Sequence, residues 1–110
     1  MYDKIADPFY KTKRWRQKRS HILKRDKYLC QISKRYGKRR EATIVHHIYP
    51  REDYPEYQWC DWNLISVSVE MHNKLHDRVT NQLTALGESL RQRTPPPSDF
   101  QNRSGGTGEG

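Results

Sequence analysis

The chain has 110 residues, of which 33% are hydrophobic and 31% charged, with 21 Lys+Arg against 13 Asp+Glu and a net charge of +8. That length supports one small domain, and no stretch comes near the roughly 18 consecutive apolar residues of a membrane span. The N-terminus, MYDKIADPFYKTKR, lacks the apolar run of a secretory signal, and Cys30 and Cys60 are too few for a disulfide framework, so the expectation is a soluble, cytoplasmic protein rather than a membrane, secreted or collagen-like one.

The charge is uneven. Residues 1–40 hold 15 Lys+Arg and 3 Asp+Glu, whereas residues 41–93 hold 5 and 8. A basic front half threaded with Tyr10, Trp15, Tyr28 and Tyr36 points to a polyanion, although a basic run alone also reads as a solvated face. In chain order, residues 1–11 are predicted as an extended lead-in broken by Pro8. A helix is predicted from Thr12 to Arg25, with Trp15, Ile22 and Leu23 on one stripe and Trp15 as a core anchor. Tyr28 to Ile32 reads as a short strand. Ser33 to Arg40 reads as a basic turn around Gly37. Ala42 to Ile48 reads as a second, β-branched strand ended by Pro50, and the two strands could pair as a hairpin. Residues 49–62 form an aromatic loop, and Asn63-Leu64-Ile65 leads into a second helix. Ser68 is its N-cap, Glu70 lies in its first turn, and it runs towards Arg78. Val79, Leu83, Leu86 and Leu90 mark a further amphipathic segment over residues 79–93, weakened by Gly87. The Pro-, Ser- and Gly-rich residues 94–110 cannot build a core and are expected to be disordered.

Four of the five histidines fall in two pairs. His72 and His76 are four apart, which on a helix stacks both imidazoles on one face, where they can share a metal ion. Such a pair alone is as readily a solvated face. His46 and His47 are neighbours on a predicted strand, so their side chains point to opposite sides. They suit two jobs: one completes a three-histidine metal site, and the other faces a water as a general base, because an imidazole titrates near neutral pH. Between the pairs lies Asn63, a residue type able to hydrogen-bond backbone on both sides and fix the second strand against the helix, or to serve as an ordinary turn residue.

The order His46-His47, Asn63, His72-x-x-x-His76, with steps of 16, 9 and 4 residues from His47 onward, resembles the HNH endonucleases, whose fold is the ββα-metal finger. The steps resemble those of the colicin-type nuclease domains. The stretches Phe9-Tyr10-x-x-x-x-Trp15, Ile22 to Gln31, Val45-His46-His47-Ile48-x-Pro50, Asn63 to Val67 and His72-Asn73-Lys74-x-His76 resemble more closely the small HNH proteins that phages of Gram-positive bacteria encode beside terminase genes. The resemblance covers residues 9–78. It implies an α+β fold of β-hairpin plus metal-binding helix, preceded by the basic helix, with the nuclease domain over 12–78. It implies His47 as general base, His46 (Asp in many relatives), His72 and His76 as metal ligands, and Asn63 as the brace that orients the base. Many phage relatives hold a structural zinc with two Cys-x-x-Cys pairs. Those positions here are Cys30, Ser33, Ser68 and Met71, so one thiol of four remains and no structural zinc is expected.

The implied activity is metal-dependent hydrolysis of DNA phosphodiesters, by nicking or double-strand cleavage. Three imidazoles favour Mn, Ni, Zn or Co over Mg. Lys13, Arg14, Arg16, Lys18 and Arg19 are the expected phosphate contacts, with Arg39 and Arg40 near the reacting phosphate and Arg51 and Lys74 as further candidates. The expected partners are DNA and phage terminase subunits. Two alternatives stay open: a non-catalytic nucleic-acid-binding module with a structural metal, and an interaction protein using the leucine stripe as a docking surface.

Overall fold

The computed structural model of the protein describes residues 7–98; residues 1–6 and 99–110 lie outside it, and with them part of the expected lead-in and most of the expected tail. The described lead-in is not extended. Pro8–Lys11 forms a 3-10 turn in which the Asp7 carboxylate accepts from the Phe9 amide at 2.9 Å. Pro8 pre-sets φ at the first helical position, where its missing N–H costs nothing.

Helix α1 (Lys13–Arg25) begins one residue after the predicted start, because Thr12 is its cap: the Thr12 hydroxyl accepts from the Trp15 amide at 3.1 Å. Trp15, Ile22 and Leu23 are its buried stripe. Lys27 and Tyr28 then adopt left-handed conformations, and the Tyr28 amide returns to the Leu23 carbonyl at 2.9 Å. That reversal rules out the strand predicted over Tyr28–Ile32. Leu29 keeps one antiparallel bridge, to Glu41, and the chain turns at once into the short helix α2 (Gln31–Arg35), which buries Ile32 and Ser33.

The hairpin forms between different partners. Strand β1 (Ile44–His47) pairs antiparallel with β2 (Leu64–Val67), His46 opposite Ile65 and His47 opposite Leu64. The segment Asn63-Leu64-Ile65 is therefore the entry to a strand rather than to a helix. All four β2 residues are buried, so β2 is covered on both faces and lacks the polar alternation of a half-exposed strand.

Helix α1 is fastened to β2 by charge. The Arg25 guanidinium donates to the Asp61 and Leu64 carbonyls at 2.9 and 2.7 Å and pairs with the Asp26 carboxylate, which accepts from the Ser66 amide at 3.0 Å. Burial works against the charged Asp26, yet the Arg25 guanidinium and the Ser66 donors outweigh it and hold the carboxyl below its ordinary 3.8. We expect Asp26→Ala to lower the unfolding free energy by about 1–3 kcal/mol at pH 7, because the buried Ser66 amide loses its acceptor. Asp26→Asn should lose less, since its amide oxygen can still accept. Because the folded pKa is depressed, the contribution is complete above 3.8 and disappears as pH falls through the lower folded value. Urea denaturation at pH 7 and pH 3 would show the wild-type advantage shrinking in acid.

Helix α3 (Val69–Leu75) has the expected N-cap, the Ser68 hydroxyl accepting from the Met71 amide at 3.1 Å, but it stops at Leu75 rather than running towards Arg78. Residues 77–82 make a tight turn, and the amphipathic segment becomes helix α4 (Ala85–Gln92), starting after the Thr84 cap rather than at residue 79. Val79 stands exposed on the turn, outside the leucine stripe. Gly87 is required rather than merely tolerated: a Cβ there would sit 2.5 Å from the Leu75 carbonyl oxygen. Among the described residues no helix is long and apolar enough to cross a membrane.

Candidate metal centre and catalytic cleft

Strand alternation separates the two adjacent histidines. His46, 1% exposed, faces the end of α3, where its ring lies 5.7 Å from that of His72 and 5.0 Å from that of His76. His72 sits in α3. His76 lies one residue past the helix, in extended backbone, so the expected one-turn stacking on a continuous helix is replaced by one helical and one non-helical imidazole. The three imidazoles converge nonetheless, one donor nitrogen from each lying within 4.8 Å of the others. His76 Nε2 is 3.3 Å from His46 Nδ1. Two nitrogens sharing one ion at about 2.0–2.1 Å in tetrahedral geometry stand roughly 3.3–3.4 Å apart, so this donor set fits a divalent cation. Among the described residues it is the one cluster of three or more His, Cys, Asp or Glu spaced for a metal.

His47 faces the other way, into an aromatic wall. Its ring stacks on Trp15 of α1 at 5.2 Å and meets Phe9 and Tyr10 edge-on at 5.8 and 6.2 Å. Trp15 is thus both the core anchor read from the sequence and the backing of His47. His47 Nε2 lies 3.1 Å from the Gln58 carbonyl. A carbonyl only accepts, so Nε2 carries the hydrogen and Nδ1 the lone pair. The wall fixes the ring plane, and Gln58 fixes the tautomer.

Both sides of the strand meet in one cleft. His47, His76, Tyr10, Arg51 and Asn81 line a space of about 30 Å³. That volume admits a water. Arg51 is held at the rim by an ion pair with Asp7 and by the Phe9 ring, 4.2 Å from its guanidinium carbon. The hydrogen bond to Tyr10 and the Asp7 charge outweigh its desolvation, so it stays a cation.

Asn63, fully buried, does what its residue type allows, with a different target. Its Oδ1 accepts from the Tyr49 amide at 2.7 Å, and its Nδ2 donates to the Tyr49 and Tyr57 carbonyls at 3.2 Å each. It ties the loop of residues 49–57 to the start of β2, rather than β2 to a helix. That loop continues to Gln58, whose carbonyl meets His47 Nε2.

The basic residues divide. Lys13 and Arg14 are exposed on α1, with Arg14 over the Trp59 ring at 3.9 Å. Lys18 pairs with Asp61 at 2.6 Å, Arg16 donates to the Lys11 carbonyl at 2.8 Å, and Arg19 donates to the Thr43 carbonyl at 2.6 Å. These three hold the fold together as well as carrying charge. Arg39 is exposed in the approach to β1, and Arg40 lines a separate cleft with Ser33, Ser68, Met71 and Lys74. Arg40 and Lys74 are thus not brought to the cleft of His47. In that same region the Ser33 hydroxyl donates to Cys30 Sγ at 3.2 Å. Burial pushes the Cys30 thiol up, but hydrogen bonds from Ser33 and Ser68 outweigh it and lower its pKa.

Three contributors escaped the sequence: the Gln58 carbonyl, the Asn81 carbonyl 3.3 Å from His76 Nδ1, and the Phe9–Tyr10 part of the wall. The first two are backbone groups, which no side-chain pattern announces, whereas Phe9-Tyr10 is visible as an aromatic pair six and five residues before Trp15.

The arrangement is similar to a solved structure. The crystal structure of the HNH endonuclease of the deep-sea thermophilic bacteriophage GVE2, with manganese ion, is 33% identical, with a TM-score of 0.59, over 64% of this chain and 76% of that one. No protein-family model matches the chain, and no curated protein does.

Proposed function

The chain belongs to the HNH endonuclease family, and from that membership we propose that it hydrolyses DNA phosphodiesters with one divalent cation held by His46, His72 and His76 and with His47 as general base. The observation that carries this reading is the split at β1: three imidazole donors within 4.8 Å on one side, and a tautomer-fixed imidazole on the other. When bound, the cation neutralises charge on the phosphate and stabilises the leaving 3′-oxygen. His47 Nδ1 takes the proton of a water in the cleft, and attack in line with the leaving oxygen gives 5′-phosphate and 3′-hydroxyl ends. Asn63 holds the loop that aims His47. Arg51, preset by Asp7 and Phe9, binds a non-bridging phosphate oxygen.

The exposed cations of α1, led by Lys13 and Arg14, hold the flanking backbone through salt-dependent contacts that carry little sequence information. Imidazole donors favour Mn, Ni, Co or Zn over Mg, and the similar phage enzyme was solved with manganese. Its phage source and the resemblance of the flanking stretches to terminase-linked proteins support a place in DNA packaging in the host cytoplasm.

Supercoiled plasmid incubated with Mg, Mn, Ni, Co, Zn or EDTA tests the reading. We expect conversion to open-circular or linear DNA with Mn or Ni at least equal to that with Mg, and none in EDTA. Whether open-circular DNA accumulates before linear DNA reads nicking against double-strand cleavage. Binding without cleavage under every metal would favour the non-catalytic module, and activity with Mg alone would overturn the three-histidine site.

A further inference from the structure

His76 is an unusual ligand position, because no helix holds it. Helix α3 ends at Leu75, and His76 has φ −126° and ψ 141°. Its place is fixed by the turn on its C-terminal side. His76 bridges Leu83 in antiparallel fashion, and between them residues 77–82 close a turn on themselves. The Asp77 amide donates to the Gln82 carbonyl at 2.8 Å, and the Asn81 amide donates to the Asp77 carbonyl at 2.7 Å. The Asp77 carboxylate accepts from the Val79 and Thr80 amides at 2.8 and 3.0 Å, and the Thr80 hydroxyl accepts from the Gln82 amide at 3.2 Å.

Within that turn Asn81 is left-handed, with φ 62°. Asn is among the few residues that adopt this region readily, and a β-branched residue there is strained. The Asn81 carbonyl stands 3.3 Å from His76 Nδ1. Since a carbonyl only accepts, Nδ1 must donate, and the lone pair is left on Nε2. Nε2 is the atom 3.3 Å from His46 Nδ1, inside the donor cluster.

We propose that the turn of residues 77–82 is a positioning device for metal binding: left-handed Asn81 aims its backbone carbonyl at His76 Nδ1 and so presets Nε2 as the ligand atom. This rests on the three-imidazole reading of the site and adds a residue that neither binds the ion nor touches DNA in that reading. A hydrogen bond to the second ring nitrogen orients a ligating imidazole and raises its basicity, and losing such a partner typically costs 10–100-fold in metal affinity. Here the donor to that bond comes from the ligand itself, and what the sequence must provide is the backbone conformation of the acceptor, not a side chain.

The test compares wild type, Asn81→Gly and Asn81→Val in the full chain by two measurements. The first is long-range ¹H–¹⁵N correlation of the histidine rings in metal-free protein, at a pH where the rings are neutral. It reports directly which nitrogen of His76 carries hydrogen. We expect the Nδ1–H form in wild type and in Asn81→Gly, which tolerates positive φ, and a mixture of tautomers in Asn81→Val. The second is Ni²⁺ titration against a chromogenic chelator, where the Val variant should bind about 10–100-fold more weakly and the Gly variant within about threefold of wild type. Far-UV circular dichroism of the metal-free proteins separates this from loss of fold: if the Val variant is unfolded, Asn81→Ala, less strained, replaces it in both measurements. The Nε2–H tautomer in wild type, or equal Ni²⁺ affinity in the Gly and Val variants, would overturn the proposal. Wild type in the Nδ1–H form that binds no Ni²⁺ would instead overturn the three-imidazole reading, and the role in metal binding with it.

Discussion

His47→Ala is expected to cut metal-dependent plasmid cleavage by about 10²–10⁴-fold while leaving DNA binding in a gel-shift assay and Ni²⁺ affinity unchanged. The size of the fall is what a positioned general base contributes. Its selectivity comes from the strand: His47 points away from the cluster of His46, His72 and His76, so removing it takes no donor from the ion. It does open a gap against Trp15, Phe9 and Tyr10, which loosens the wall and adds to the loss. His47→Gln fills more of that space and cannot act as a base. Both variants should therefore lose most cleavage, the Ala variant at least as much as the Gln variant, with the Gln variant melting at the higher temperature. Wild-type activity in either would identify a contaminant or a different base.

Removing a ligand should have the second large effect, and replacing one should change the metal. On the proposed three-imidazole site His76→Ala deletes a direct donor, so the loss of affinity should exceed the 10–100-fold typical of an outer hydrogen-bond partner, with activity at limiting metal falling at least as far. His46→Asp is the more informative change. A carboxylate in place of an imidazole hardens the donor set, and Mg prefers oxygen. The ratio of Mg- to Mn-supported cleavage should rise relative to wild type. Position 46 is almost fully buried, so an unpaired carboxylate there is costly without an ion. The metal-free variant should melt below metal-free wild type and regain much of the difference when metal is added. A variant whose metal ratio does not move would argue that His46 is not a ligand.

The parts of this molecule that were legible in the sequence are those where a side chain announces its own task. Ser68 caps the helix it was expected to cap, because a hydroxyl before a helical run satisfies orphan amides locally, and Thr12, read only as the start of the first helix, proves to be its cap. The convergence of His46 with His72 and His76 was legible because imidazoles at those steps have few other uses in combination. What failed was the pairing of the strands. Leu64 to Val67 is a four-residue apolar run, and at that length strand and helix entry cannot be told apart by periodicity. Tyr28 to Ile32 has β-prone composition, yet the reversal at Lys27 and Tyr28 removes it from the sheet, and positive φ at Lys and Tyr has no compositional signal. The basic helix was legible as charge but not as allocation: nothing in the spacing says that Lys18 finds Asp61, 43 residues away, or that Arg19 finds the Thr43 carbonyl.

Gly87 has a bearing on where this protein can be cut. An exposed helical glycine invites replacement by alanine for about 1 kcal/mol of helix preference. Here that gain is forgone so that the α4 backbone can lie against the Leu75 carbonyl, directly before His76. The Thr84 hydroxyl closes the same seam by donating to the Lys74 carbonyl at 2.6 Å, and the Thr84 amide does so by donating to the Leu75 carbonyl at 3.0 Å. Helix α4 is therefore no appendage to the metal finger, although it comes after the last histidine. A chain truncated after Arg78 would keep every residue of the histidine motif and lose the wedge that seats the last of them. We expect the smallest chain that folds on its own to extend at least through Gln92, fourteen residues past Arg78.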